Sequence, residues 1–181
     1  MDITDILRRI QEGDRQAFAV LVQQYQRPLF GFLGRMGLSQ GRAEELAQET
    51  FLRAWRNLGQ YDSQLGAFST WLFTIARNLA LNEISRAANE CARATEDDLP
   101  DIACDRPQPP EALAWAQERR RLHAALSQLP LAERCVIALA YLGDFQLAEI
   151  ARIEACTIGA IKTRLHRARR KLIQLLEQDH E

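Results

Sequence analysis

Apolar residues recur every three or four positions along most of this chain, and no segment alternates apolar and polar residues as a half-buried strand does. A clear example is the stripe formed by Phe18, Leu21, Val22, Tyr25 and Leu29. Stripes with this spacing are typical of amphipathic helices that pack on a shared core. The pattern therefore predicts an all-α protein.

Four helices are predicted in the N-terminal half. The first covers roughly Thr4 to Glu12 and ends at Gly13. The second begins at a cap at Asp14 and is expected to bend at Pro28, which lacks an amide donor. The third begins after a cap at Ser39, ends near Leu58 and is predicted to turn inward Ala43, Leu46, Ala47, Thr50, Ala54 and Leu58. The fourth is predicted to bury Leu72, Ile75, Ala76, Leu79 and Ile84.

Residues 89–111 differ in composition from the rest of the chain. They contain seven acids and two bases, a net charge of −5, together with four of the six prolines. Such a stretch buries too little apolar surface to fold alone, so it is predicted to be an acidic flexible linker. The chain is therefore predicted to consist of two small helical domains, residues 1–88 and 112–181, joined by this linker.

Helical periodicity resumes at Ala112 and predicts four more helices. Pro130 separates the first of them from the second, and Gly143 ends the second. The last two lie between Phe145 and Lys171 and are typical of a helix-turn-helix. The apolar seam of the second motif helix is predicted to be Ile158, Ile161, Leu165, Ala168 and Leu172.

The turn of this motif, Glu154 to Cys156, contains no glycine. Turns between such helices often need a residue with positive φ, which glycine adopts most easily. We therefore expect either a strained residue in the turn or a different turn geometry. Thr157 is predicted to cap the second motif helix.

The second motif helix carries six cations in ten positions and no acid, although the whole chain has a net charge of only −1. A polyanion is the natural partner of such a face, and a helix of this width fits the major groove of DNA. A merely solvated bundle helix is the alternative, but such a helix usually pairs its charges at i, i+4. The predicted DNA-contacting residues are Thr157, Lys162, Thr163, Arg164, His166, Arg167, Arg169 and Arg170.

The roles within this set differ. Lys162 and Arg167 suit guanine acceptors on base edges, whereas Arg164, Arg169 and Lys171 are better placed for phosphates. Phosphate contacts fix the register of a protein on DNA without reading its sequence.

No pattern in the sequence indicates catalysis, a cofactor or a metal site: paired carboxylates, a nucleophile constellation, a glycine-rich phosphate loop and metal-ligand spacing are all missing. The protein is therefore predicted not to be an enzyme. The four cysteines suggest reduced thiols in a cytoplasm, with a redox role for Cys91 and Cys104 left open. The N-terminus has no secretory signal, and the longest apolar run, Cys135 to Leu142, is too short to cross a bilayer.

Four segments, taken in order, resemble the bacterial extracytoplasmic-function sigma factors of RNA polymerase, and they are distributed along nearly the whole chain, from residue 13 to residue 172. They are GDRQAF at residues 13–18, AEELAQETFLRAWRNLGQYD at 43–62, FSTWLFTIARNLALNEISR at 68–86 and AEIARIEACTIGAIKTRLHRARRKL at 148–172. The resemblance implies that the motif helix reads the minus-thirty-five promoter element. It also implies that residues 1–88 and 112–181 correspond to sigma regions 2 and 4.

The resemblance assigns roles to two further sets of residues. The helix after Ser39 would dock on the clamp helices of the largest polymerase subunit through Glu45, Gln48, Glu49, Leu52, Arg53 and Arg56, although a solvated helix face is the alternative. The loop and helix that follow would read and melt the minus-ten element through Tyr61, Phe68, Trp71, Arg77, Asn78 and Asn82. At least one of the aromatic residues here is expected to fill the core instead.

The resemblance implies three kinds of partner: core RNA polymerase, including the flap of its second-largest subunit, promoter DNA, and an anti-sigma factor that would hide the DNA-reading faces. The linker would pass through the polymerase, where its negative charge mimics RNA; an ordinary solvated linker would have the same composition. A stand-alone helix-turn-helix regulator that never docks on polymerase is the principal alternative, and a purely protein-binding helical adaptor is a third.

Overall fold

The computed structural model describes residues 3–91 and 120–178, which form eight α-helices, one 3-10 turn and no strand. The N-terminal unit contains α1 (Ile3–Gln11), α2 (Ala17–Arg35), α3 (Gln40–Arg56), the 3-10 turn (Leu58–Gln60) and α4 (Phe68–Cys91). The C-terminal unit contains α5 (120–127), α6 (Leu131–Leu142), α7 (Leu147–Ile153) and α8 (Ile158–Gln178). The all-α prediction is confirmed, and most of the predicted linker lies outside the described residues.

Local sequence signals account for the helix ends. The Ser39 hydroxyl accepts a hydrogen bond from the Arg42 amide at 3.4 Å, as a helix cap should. The Asp14 carboxylate accepts the amide hydrogens of Gln16 and Ala17, as a capping side chain does, although α2 itself begins only at Ala17. α2 then continues through Pro28 as one helix of 19 residues.

The core of the N-terminal unit is formed where α2, α3 and α4 meet. Phe32, Leu33 and Leu72 are fully buried there, and the predicted inward face of α3 is confirmed for Ala43, Leu46, Thr50, Ala54 and Leu58. Ala47 and the α4 residues Ile75 and Ile84 are only half-buried. The buried Thr50 hydroxyl donates to the Leu46 carbonyl at 2.6 Å, which satisfies a polar group inside the core.

The two units pack against each other, and their buried side chains form one continuous core. The ring of Phe73 on α4 lies 4.8 Å, centroid to centroid, from the ring of Phe145. The Arg134 guanidinium also donates to the Met36 carbonyl at 2.9 Å, which ties α6 to the end of α2. The C-terminal unit therefore covers part of α4 in this structure.

A network of charged side chains joins α3 to α4. Both carboxylate oxygens of Glu83 accept hydrogen bonds from Arg42, at 2.7 and 2.6 Å, and Arg86 adds a third at 2.9 Å. Arg42 also pairs with Glu45. Chiefly through the Arg42 hydrogen bonds, the pKa of Glu83 is lowered from 4.5 to about 2.

Replacing Glu83 by glutamine is expected to lower the free energy of unfolding at neutral pH by about 1 kcal/mol, since the charge-assisted hydrogen bonds are lost. The folded state of the wild type holds this carboxylate at a pKa below its unfolded value, so the contribution is present above pH 4.5 and disappears as the pH falls toward about 2. Urea unfolding at several pH values measures this: the gap between wild type and E83Q should narrow through that window. A gap that stays constant would contradict the assignment.

Candidate nucleic-acid interface

The helix-turn-helix is built as the sequence predicts, with one strained residue in its turn. Ala155 has φ +51, the left-handed conformation that costs a residue with a side chain about 1–2 kcal/mol. The turn is held by the Cys156 amide, which donates to the Ala151 carbonyl at 2.9 Å. Thr157 then caps α8, because its hydroxyl accepts from the Ala160 amide at 3.2 Å. Of the two turn geometries expected, the structure has the strained one.

The seam of α8 that faces the rest of the protein begins one turn later than predicted. Ile161, Leu165 and Ala168 are buried, and Leu172 is half-buried. Ile158, in the first turn of α8, is 44% exposed, so the prediction that it belongs to the seam is wrong. The Ile158 side chain in the first turn of α8 is therefore exposed to solvent.

The exposed side of α8 carries Lys162, Thr163, His166, Arg167, Arg169 and Arg170, and Thr157 at its start is exposed as well. Among the described residues, no carboxylate forms an ion pair with Lys162, Arg167 or Arg170. Arg169 lies over the ring of Tyr141, 5.4 Å from its centroid. This face combines unneutralised cations with short polar side chains on a single helix, which is the arrangement that a major groove accepts.

Arg164 does not join the exposed face. It is half-buried, and its guanidinium lies 3.2 Å from the Glu154 carboxylate. In this arrangement Arg164 is directed toward the interior of the C-terminal unit and is not placed for the phosphate contact that we predicted.

Four aromatic rings form a cluster at the start of α4. Phe68 is 1% exposed, and its ring centroid lies within 5.7 Å of the rings of Tyr25, Tyr61 and Trp71. Phe68 is therefore the aromatic residue that fills the core, and in this structure it has no face open to a base. Tyr61 and Trp71 are half-buried, with their rings 5.5 Å apart.

A cleft of about 290 Å³ opens beside these two rings. The loop between the 3-10 turn and α4 forms one wall, and the Tyr61 hydroxyl donates to the Gly66 carbonyl at 3.0 Å, which holds the loop in place. Arg152 of α7 lies at the rim, so the C-terminal unit borders the cleft in this arrangement. A flat aromatic ring with a cation nearby is the environment in which unstacked bases bind.

The three predicted polar contact residues of α4 have different environments: two face solvent, and one lies at the junction, where α4 packs against the C-terminal unit. Asn78 and Asn82 are exposed. Arg77 is half-buried and donates to the Glu154 carboxylate across the junction, with a closest distance of 3.0 Å. Burial is the largest single influence on the pKa of Arg77 and acts to lower it. The hydrogen bond to Glu154, the charge of Glu154 and the contact with Cys135 together outweigh burial, so the pKa is raised and this arginine stays charged.

The predicted docking face of α3 is accessible. Glu45, Gln48, Leu52, Arg53 and Arg56 are exposed, and Glu49 is half-buried beside Arg53, whose Nε donates to it at 2.7 Å. Leu52 is 49% exposed and is the one apolar side chain among the six predicted docking residues. The predicted docking face therefore consists of one apolar side chain among polar and charged ones.

Sequence reasoning missed the residues that join the two units, above all Glu154 and Arg134. Glu154 was treated only as part of a turn, yet it is 6% exposed. The available signal was an isolated acid between the apolar Ile153 and a strongly cationic helix. A lone charge there suggests an internal ion pair but does not identify its partner.

In the described part of the chain, no helix is both long and apolar enough to span a membrane. The same residues contain no group of three His, Cys, Asp or Glu side chains that could hold a metal ion. Burial raises the pKa of the Cys135 thiol, which keeps it protonated and unreactive. The cysteines with a suggested redox role, Cys91 and Cys104, have no described side chains.

Comparison with known proteins gives consistent matches along the chain. Residues 21–90 match the family model of Sigma-70 region 2, and residues 119–172 match that of Sigma-70, region 4. The ECF RNA polymerase sigma factor SigW of Bacillus subtilis is 31% identical over 95% of both chains.

Two solved structures are similar in fold. CnrH, solved in complex with the cytosolic domain of CnrY, has a TM-score of 0.72 at 24% identity over 96% of both chains. RpoE of Bartonella quintana, solved with the anti-sigma factor NepR, has a TM-score of 0.70 at 24% identity over 88% of this chain and 96% of that one. With both sigma regions matched in order and a relative above 30% identity over almost the full length, this chain belongs to the extracytoplasmic-function family of RNA polymerase sigma factors.

Proposed function

We propose that this sigma factor binds core RNA polymerase through the exposed face of α3 and reads a promoter with two separate surfaces. The loop before α4, together with α4, takes the minus-ten element, and α8 takes the minus-thirty-five element. The observation that supports this proposal best is the unneutralised cationic face of α8.

The α8 surface supports duplex binding because of its shape and charge. Lys162 and Arg167 project from the first half of the helix, where side chains reach base edges when a helix enters the major groove. Thr163 donates to the Gly159 carbonyl at 3.0 Å, which leaves its oxygen able to accept a bond. Arg170, one turn further on, is placed to meet a phosphate.

The minus-ten surface is supported by different features. Tyr61 and Trp71 border a cleft of about 290 Å³, and the exposed amides of Asn78 and Asn82 continue from it along α4. Aromatic walls accept any base by stacking, and amides can read its edge. Phe68 supports these rings from the core and is assigned no direct contact.

The α3 surface is assigned to the clamp helices of the largest polymerase subunit, with Leu52 as its apolar centre and Gln48, Glu49, Arg53 and Arg56 around it. An apolar anchor surrounded by polar side chains is the usual composition of a transient protein interface. The C-terminal unit is assigned to the flap of the second-largest subunit. An anti-sigma factor is a further proposed partner; adding it should suppress transcription by the holoenzyme, and a protein that binds without suppression would not fill this role.

Reconstitution with core polymerase tests the proposed function. The purified chain is expected to comigrate with core enzyme and to produce RNA only from templates that carry its promoter. Core enzyme alone and a template with a scrambled upstream element are the controls. A chain that binds the promoter without ever associating with core enzyme would instead be a stand-alone regulator, and the proposal would be overturned.

A further inference from the structure

A buried carboxylate lies at the junction between the two units. The side chain of Glu154 is 2% exposed, although it belongs to the turn of a DNA-binding motif. Its own unit holds it on two sides: Arg164 donates to one oxygen at 3.2 Å, and the Cys135 thiol donates to the other at 3.0 Å. Two groups of the C-terminal unit itself therefore hold the carboxylate.

From this position Glu154 reaches across to α4. Arg77 donates to it through Nε at 3.0 Å and through a terminal nitrogen at 3.5 Å. The Arg77 side chain is 22% exposed. Charge-assisted hydrogen bonds to a buried carboxylate are strong, and removing one partner leaves the other charge without compensation.

Further contacts surround this ion pair. The Thr70 hydroxyl of α4 lies 3.4 Å from the Glu149 carboxylate of α7, and the rings of Phe73 and Phe145 pack together nearby. Arg152 of α7 lies at the rim of the cleft that contains Tyr61 and Trp71. The C-terminal unit therefore contacts Thr70, Phe73 and Arg77 of α4 and borders the cleft of the proposed minus-ten site.

The geometry implies a competition. A guanidinium binds a carboxylate and a phosphate with the same donor groups, so Arg77 cannot serve both at once. While Glu154 holds Arg77, α7 stays against α4 and the cleft stays bordered by the C-terminal unit.

We propose that Glu154 acts as an internal competitor for DNA, holding Arg77 and keeping the two units in a closed arrangement that binds promoter DNA poorly. Separation of the units exposes Arg77 and the cleft together. This inference rests on the proposed function in one respect only, which is that α4 contacts promoter DNA.

Replacement of Glu154 by glutamine tests this directly, because glutamine keeps the size of the side chain and removes its charge. The full-length E154Q chain is expected to show a larger radius of gyration by small-angle X-ray scattering. Its affinity for a forked promoter fragment should rise about threefold to tenfold, because a larger fraction of molecules is competent to bind. E177Q on α8 is the matched control: Glu177 is exposed, and the substitution makes the same change in net charge.

A second variant covers the case in which E154Q does not fold. R77Q breaks the same ion pair from the α4 side and is measured by scattering alone, since Arg77 is itself a proposed DNA contact. Expansion of R77Q relative to E177Q supports the proposal. Scattering profiles of E154Q and R77Q that match the wild type would overturn it, and so would an E154Q chain that expands without any gain in DNA affinity.

The two proposals can fail separately. Scattering requires neither polymerase nor DNA, so it reports on the ion pair even if the wild-type chain supports no promoter-dependent transcription. The absence of promoter-dependent transcription would overturn the proposed function and leave the scattering result unaffected.

Discussion

Replacing Lys162 and Arg167 together by alanine is expected to reduce the affinity of the holoenzyme for its promoter by about 100-fold. Two base-edge contacts of about 1.4 kcal/mol each account for this factor, and each such contact usually contributes between about 1 and 3 kcal/mol. Both side chains are exposed on α8 and have no described carboxylate partner, so their removal should not disturb the fold.

The control for this prediction removes the same charge elsewhere. Arg15 and Arg27 are exposed on the N-terminal unit, and their double replacement by alanine should change affinity much less. The affinity for a fragment with a scrambled minus-thirty-five element shows whether the two α8 side chains read bases or bind the DNA backbone. If K162A/R167A loses as much affinity for the scrambled sequence as for the promoter, these residues bind the backbone and do not read bases.

Replacing Leu52 by aspartate is expected to weaken binding to core polymerase by about 30-fold or more. A central apolar residue of an interface commonly contributes about 2 kcal/mol, and an acid there would also have to be desolvated. Leu52 is 49% exposed on α3, so the substitution removes little from the core of the free protein. The dissociation constant for core enzyme, measured by fluorescence anisotropy, provides the test.

Phe30 provides the matched control for this second prediction. It is an exposed apolar residue on α2, 36% exposed, and F30D introduces the same acid on a helix that is assigned to no polymerase contact. F30D should bind core enzyme more tightly than L52D by about tenfold. Equal binding by L52D and the wild type would mean that α3 is not the docking surface.

Local signals in the sequence were sufficient for the helices and for most of the exposed interface. The cap at Ser39 and the break at Gly143 are properties of single residues and their neighbours, and the periodicity of α8 distinguishes Ile161 and Leu165 from Lys162 and Arg167. These features depend on residues close in the chain, which is why a pattern can predict them.

The junction between the units depends on residues far apart in the chain. Arg77 and Glu154 are separated by 77 positions, and no periodicity relates them. The same applies to Arg164. Its position on α8 suggests an outward side chain, and only the position of the buried Glu154 carboxylate shows that it points inward. Phe68 is a related case, because an aromatic residue at a helix start suits both base stacking and a core, and only the packing of Tyr25 and Trp71 around it decides.

The central claim is that the two units contact separate stretches of one promoter once the chain is bound to polymerase. Nuclease protection by the reconstituted holoenzyme measures this most directly. The wild type should protect both the minus-thirty-five and the minus-ten element, and K162A/R167A should lose only the upstream protection. Loss of both at once by that variant, or a single protected block formed without polymerase, would contradict the account.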